Sequence, residues 1–150
     1  MSRTHHTEDA PTLAAVHALF AEKEQQLRTR LVLTSLWAAT MLTYLLGDVL
    51  RLMSGDQKPG QLFEGQPNAG WMWLLIACIM LIPILMIVCT PLLRPAFARN
   101  ANIAVAIFLI GFNLIGLPYK GAYDNFLIAV SLMFNLLTMG IAWKWHPETI

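Results

Sequence analysis

Four hydrophobic runs dominate this chain: Leu31 to Met53, Trp71 to Leu93, Ala101 to Pro118 and Asn125 to Trp143. About 20 apolar residues, each rising about 1.5 Å in a helix, cross the ~30 Å hydrocarbon layer of a bilayer. Each run is of that order, so the sequence predicts an all-α fold, a membrane-embedded antiparallel four-helix bundle. Composition agrees: 57% of residues are hydrophobic and 13% charged, against roughly a quarter charged in soluble domains. A net charge of +1 supplies neither a basic field nor an acidic tail, so nucleic acid is not an expected partner and the lipid bilayer is.

The first run starts only after thirty polar residues, and no clear small-residue cleavage site follows it. It therefore reads as a retained helix rather than a removable signal peptide. Residues 1–30 form a polar head. Asp9 and Pro11 look like a helix start, and Leu13, Val16, Phe20 and Leu27 form one face among Glu22, Lys23, Glu24, Arg28 and Arg30. The expectation is a short amphipathic interfacial helix, lying on the membrane surface or continuing into the first span. The transmembrane domain then covers 31–146.

Between the first two runs, Gly55, Pro59, Gly60, Gly65, Pro67 and Gly70 exclude a regular helix and leave room for a lid. The second loop, Arg94 to Asn100, and the third, Tyr119 to Asp124, are short, so consecutive helices should be antiparallel neighbours. Arg3, Lys23, Arg28, Arg30, Arg94, Arg99 and Lys144 fall on one side of such a bundle, and Arg51, Lys58 and Lys120 on the other. Under the positive-inside rule, that asymmetry places both termini in the cytoplasm. Trp71, Trp73, Tyr119, Tyr123, Trp143 and Trp145 stand at run ends, where amphipathic rings favour the headgroup layer.

Polar residues inside the runs are the candidates for chemistry. Trp37, Thr40, Tyr44, Asp48 and Arg51 recur at spacings of three and four, which puts them on one helix face. Asp48 is the only acid within a run, and it sits a turn from the run's end, where it can pair with Arg51. An ionisable group at such depth is a functional hypothesis by default. Asp124, Ser131, Asn135 and Thr138 form a second stripe, and Asn113 lies in the third run. Asparagines at membrane depth often join helices. The candidate polar site is therefore Trp37, Tyr44, Asp48, Arg51, Asn113 and Asn135, roofed by the Gly/Pro loop.

Other features read as structural. Pro83 removes a backbone donor in mid-span and predicts a kink. Cys78 and Cys89, eleven residues apart on one helix, are about 16 Å apart, too far for a disulfide. They read as buried small apolar residues. His5, His6, His17 and His146 all lie outside the runs, so no haem ligand stands at membrane depth, and no metal or other cofactor is expected.

Taken in order, Ser35-Leu36-Trp37, Tyr44, Gly47-Asp48, the Gly/Pro loop, Ile82-Pro83 with Met86, and Asn102-Ile103 resemble a family of small bacterial four-helix membrane proteins known only as a domain of unknown function. The likeness covers Leu31 to Trp145. It implies a multi-pass protein of the bacterial inner membrane with no established activity. The architecture is also broadly similar to the DoxX-type group of small membrane proteins, an analogy of fold alone. Two functional classes stand beside that resemblance: a small carrier or channel working as a homo-oligomer, and a non-catalytic accessory or assembly protein that holds a membrane protein partner. An enzyme is the weakest reading, because no base, nucleophile and oxyanion set is recognisable.

Overall fold

A computed structural model describes residues 13–58, 70–119 and 121–146. Four helices run up and down in chain order: α1 (Leu13–Ser54), α2 (Gly70–Leu92), α3 (Pro95–Ile115) and α4 (Ala122–Lys144). All four are long and apolar enough to cross a membrane. They form a ring in which α1 packs on α2 and α4, α4 packs on α3, and α2 meets α3 over a shorter stretch.

Inward-facing residues repeat at spacings of three and four, the period that holds a seam on one side of a supercoiled helix. On α4 the seam is Asp124, Ile128, Ser131, Asn135, Thr138 and Ala142; on α1 it is Leu33, Trp37, Thr40 and Gly47. Apart from Leu33, Trp37 and Ile128, these positions are small or polar. The large aliphatic side chains, such as Leu42, Leu74, Val88, Ile107 and Leu136, point outward. A soluble bundle would invert this arrangement. In lipid the outside need not be polar, and small residues inside let helices approach while buried hydrogen bonds join them.

Several sequence expectations change. Of the two arrangements expected for the polar head, the structure has the one that continues into the first span: from Leu13 the two are one 42-residue helix, so the head is not a separate interfacial element along its described length. Residues 14–46 hold no glycine or proline, and nothing else interrupts the backbone ladder to turn it at the membrane surface. The expected helix start at Asp9 and Pro11 lies outside the described residues. The second loop is far shorter than Arg94 to Asn100, because α3 begins at Pro95. Proline suits the first helical position, where its missing N–H needs no partner, and the Ala98 amide donates to the Arg94 carbonyl at 2.8 Å. Polar residues in this turn, Arg99 and Asn100, concealed the helix from a hydropathy reading, yet Arg99 donates to the Ala142 carbonyl at 3.3 Å. At its other end α3 stops at Ile115, short of Pro118. Cys78 is exposed on the outer face and Cys89 is half-buried, so neither is a core residue. Trp145 is also corrected: it packs with Leu33, Ala98 and Ala142, whereas Trp71, Trp73 and Trp143 stay exposed.

Candidate functional site

The antiparallel order brings the end of α1 and the start of α4 to the same end of the bundle. There the Arg51 guanidinium lies between two carboxylates. Its Nε donates to Asp124 Oδ1 at 2.8 Å, and Nη1 reaches Asp48 Oδ1 at 3.4 Å. The Tyr119 ring lies beneath the guanidinium, 4.5 Å from its carbon to the ring centroid. Burial separates the two acids: the Asp124 side chain is 6% exposed and that of Asp48 60%. Arg51 is thus paired principally with Asp124, not with its neighbour on α1 as the three-residue spacing suggests. At the same end, Tyr123 donates to Asp56 and shares a 2.9 Å hydroxyl contact with Ser54, tying α4 to the end of α1 and the turn after it.

A recess of about 70 Å³ opens beside this group, with Tyr44, Asp48, Arg51, Asn113, Tyr119 and Asp124 in its wall. Its floor is hydrogen-bonded across the bundle. Asn113 Nδ2 donates to the Tyr44 hydroxyl at 2.7 Å and contacts the Ser131 hydroxyl at 3.4 Å, linking α3 to α1 and α4. Four of the six sequence candidates, Tyr44, Asp48, Arg51 and Asn113, therefore line one space. The Gly/Pro loop expected to roof it lies largely outside the described residues.

The other two candidates stand elsewhere. Trp37, fully buried, donates from its indole to Asn102 Oδ1 at 2.6 Å, and Asn102 in turn donates to Thr90 at 3.2 Å and to the Ala98 carbonyl at 2.7 Å. This second network joins α1, α3 and α2 near the opposite end. Trp37 also packs with Met86, Ala106 and Leu109, which fill the bundle between the two networks. Asn135 is fully buried, but its Nδ2 donates only to the Ser131 carbonyl of its own helix, and its Oδ1 has no partner. It does not join helices as expected; Asn102 and Asn113 do.

Sequence reasoning missed the pairing of Asp124 with Arg51 and the roles of Asn102 and Tyr119. The available signal was topological. In an up-down bundle the last turn of the first helix is level with the first turn of the fourth, so an acid on the inward stripe there is within reach of Arg51.

The chain matches no protein-family model, no curated protein and no solved structure. The fold and the site define a class: a multi-pass membrane protein with four candidate spans, whose apolar faces imply contact with the lipid bilayer.

Proposed function

We propose that this chain binds a small monovalent cation in the recess at the Arg51 end of the bundle. The observation that carries the reading is the uneven sharing of Arg51. Asp124 takes the short, buried contact and the Tyr119 ring covers a guanidinium face, while Asp48 keeps a long contact and an exposed side chain. Among the described residues, two carboxylates against one guanidinium leave one negative charge in a partly desolvated space, where a cation is attracted more strongly than in open water. The volume is that of a few small atoms, since one water occupies about 30 Å³ of liquid. It suits an alkali ion or ammonium with part of its hydration, and the Tyr44 and Thr43 hydroxyls supply neutral oxygens nearby.

In this reading the site is one-sided. Trp37, Met86, Ala106 and Leu109 fill the interior beyond it, which favours a binding or sensing role, or a carrier whose packed half opens, over an open channel. The Lys/Arg asymmetry supports an orientation with both chain ends in the cytoplasm and the recess on the outer face. Placement in the bacterial inner membrane, within the uncharacterised four-helix family described above, belongs to the same proposal.

Thermal unfolding of the purified protein in lipid nanodiscs tests it. Sodium, potassium, ammonium and the bulky choline ion are compared at constant ionic strength. A bound cation raises the midpoint in proportion to log concentration above its Kd, and Asp48→Asn should abolish that rise. An identical midpoint in all four salts, or a rise that survives Asp48→Asn, would remove the reading.

A further inference from the structure

The first seventeen residues of α1, Leu13 to Thr29, extend past the bundle. Arg30 marks the end of the packed region: it donates to the Pro91 carbonyl at the end of α2, and its guanidinium lies over the Trp145 ring just past α4. At about 1.5 Å per residue the extension projects roughly 25 Å. Its charged residues, Glu22, Lys23, Glu24 and Arg28, keep it out of the hydrocarbon, yet Leu13, Phe20 and Leu27 are 80%, 68% and 58% exposed. A helix this short draws most of its stability from covering such a face rather than from intrinsic propensity.

The position of that face identifies what covers it. At about 100° per residue, Leu13, Val16, Phe20, Leu27 and Leu31 fall within an arc of about 60°. Exposed Leu42, Leu45, Val49 and Leu52, spaced three, four and three apart within the membrane span, continue nearly the same line. The line is roughly 140° around the helix from the seam that faces α2 and α4. Among the described residues nothing covers this side of α1, which carries a largely apolar seam from Leu13 to Leu52, interrupted by Glu24, Thr34 and Ser35, through water and lipid alike. Lipid would cover only the second half of it. The membrane surface would cover the first half only if α1 turned sharply near Arg30, where no glycine or proline allows it.

We propose that the seam pairs with the same seam of a second copy of this chain, giving a parallel α1–α1 dimer. Copies inserted in one orientation can bring α1 helices together only in parallel. Glu24 and Lys23 then flank the stripe on opposite sides at the same height. In a parallel two-fold pair, opposite flanks of equal height meet, so Glu24 of each copy faces Lys23 of the other, twice across the axis. That complementarity favours a second copy over an unrelated helix, as flanking charges do in coiled coils. The proposal is independent of the cation site, which lies at the other end of the bundle.

The test uses the full chain in native membranes, with Cys78→Ala and Cys89→Ala removing the native thiols. Phe20→Cys and Leu45→Cys should each form a disulfide-linked species of twice the mass on mild oxidation, and Gln25→Cys, exposed on another face, should not. In nanodiscs, Glu24→Lys should weaken dimerisation roughly tenfold by placing like charges together twice, and adding Lys23→Glu should restore it. Three results would overturn the proposal: equal cross-linking at Gln25 and Phe20, purified protein that stays monomeric, or a label at position 20 quenched by lipid-borne quenchers, which would put the extension on the membrane surface.

Discussion

Replacing Asp124 by asparagine keeps the side-chain volume and one acceptor oxygen but removes the charge that answers Arg51. The Asp124 side chain is 6% exposed and that of Arg51 23%, with 2.8 Å between them. Removing one partner of a buried ion pair costs about 3 to 5 kcal/mol, and the residual exposure of Arg51 together with the hydrogen bond that asparagine still accepts lowers this to about 2 to 3 kcal/mol. Asp48→Asn removes a 3.4 Å contact from a carboxylate that is 60% exposed, and pairs of that kind contribute about 0 to 1 kcal/mol. The measurement is a pair of double-mutant cycles on unfolding in detergent, crossing each substitution with Arg51→Gln. Coupling to Arg51 should be about 1.5 to 3 kcal/mol for Asp124 and under about 0.5 kcal/mol for Asp48. Equal couplings, or a larger one for Asp48, would refute the division of labour between the two acids and with it the surplus charge on which cation binding depends.

Trp37→Phe removes the indole donor to Asn102 Oδ1 while keeping most of the ring volume, and should cost about 1 to 2 kcal/mol in the same unfolding assay; no change would mean the Trp37, Asn102 and Thr90 network is not a stability determinant. Asn135→Leu should be nearly neutral, within about 1 kcal/mol either way, because the amide bonds only its own helix and leaves an orphaned oxygen in the core; a loss above about 2 kcal/mol would reveal an inter-helical role for it. Reporter fusions at the two chain ends should both place them in the cytoplasm, and an active periplasmic phosphatase at either end would reject that orientation.

Hydropathy runs, run-end aromatics and short loops were enough to read four antiparallel helices from the sequence, because a bilayer imposes length and apolarity on each span separately. The inward face was legible in part for the same reason: stripes at spacings of three and four marked Trp37, Thr40, Tyr44 and Arg51 on α1, with exposed Asp48 the exception, and Asp124, Ser131, Asn135 and Thr138 on α4. Helix ends were less legible. Pro95, Arg99 and Asn100 look like a loop by hydropathy, but a proline at a first helical position and an arginine reaching neighbouring carbonyls are both compatible with helix.

Partner choice was decided only by tertiary structure. Asp48 and Asp124 are both helical acids near a run end, and chain spacing favours Asp48 for Arg51. The packing of α1 against α4 buries Asp124 and leaves Asp48 at the rim of the recess, more exposed to water, which reverses that preference, since a charge pair strengthens as its surroundings lose water. Asn113 and Asn135 are equally polar and both lie on the inward faces of their helices, yet one meets Tyr44 across the bundle and the other returns to its own backbone. Sequence period fixes the face a side chain takes on its own helix. The rotation and height of the neighbouring helix determine what it meets there, and those belong to the packed bundle as a whole.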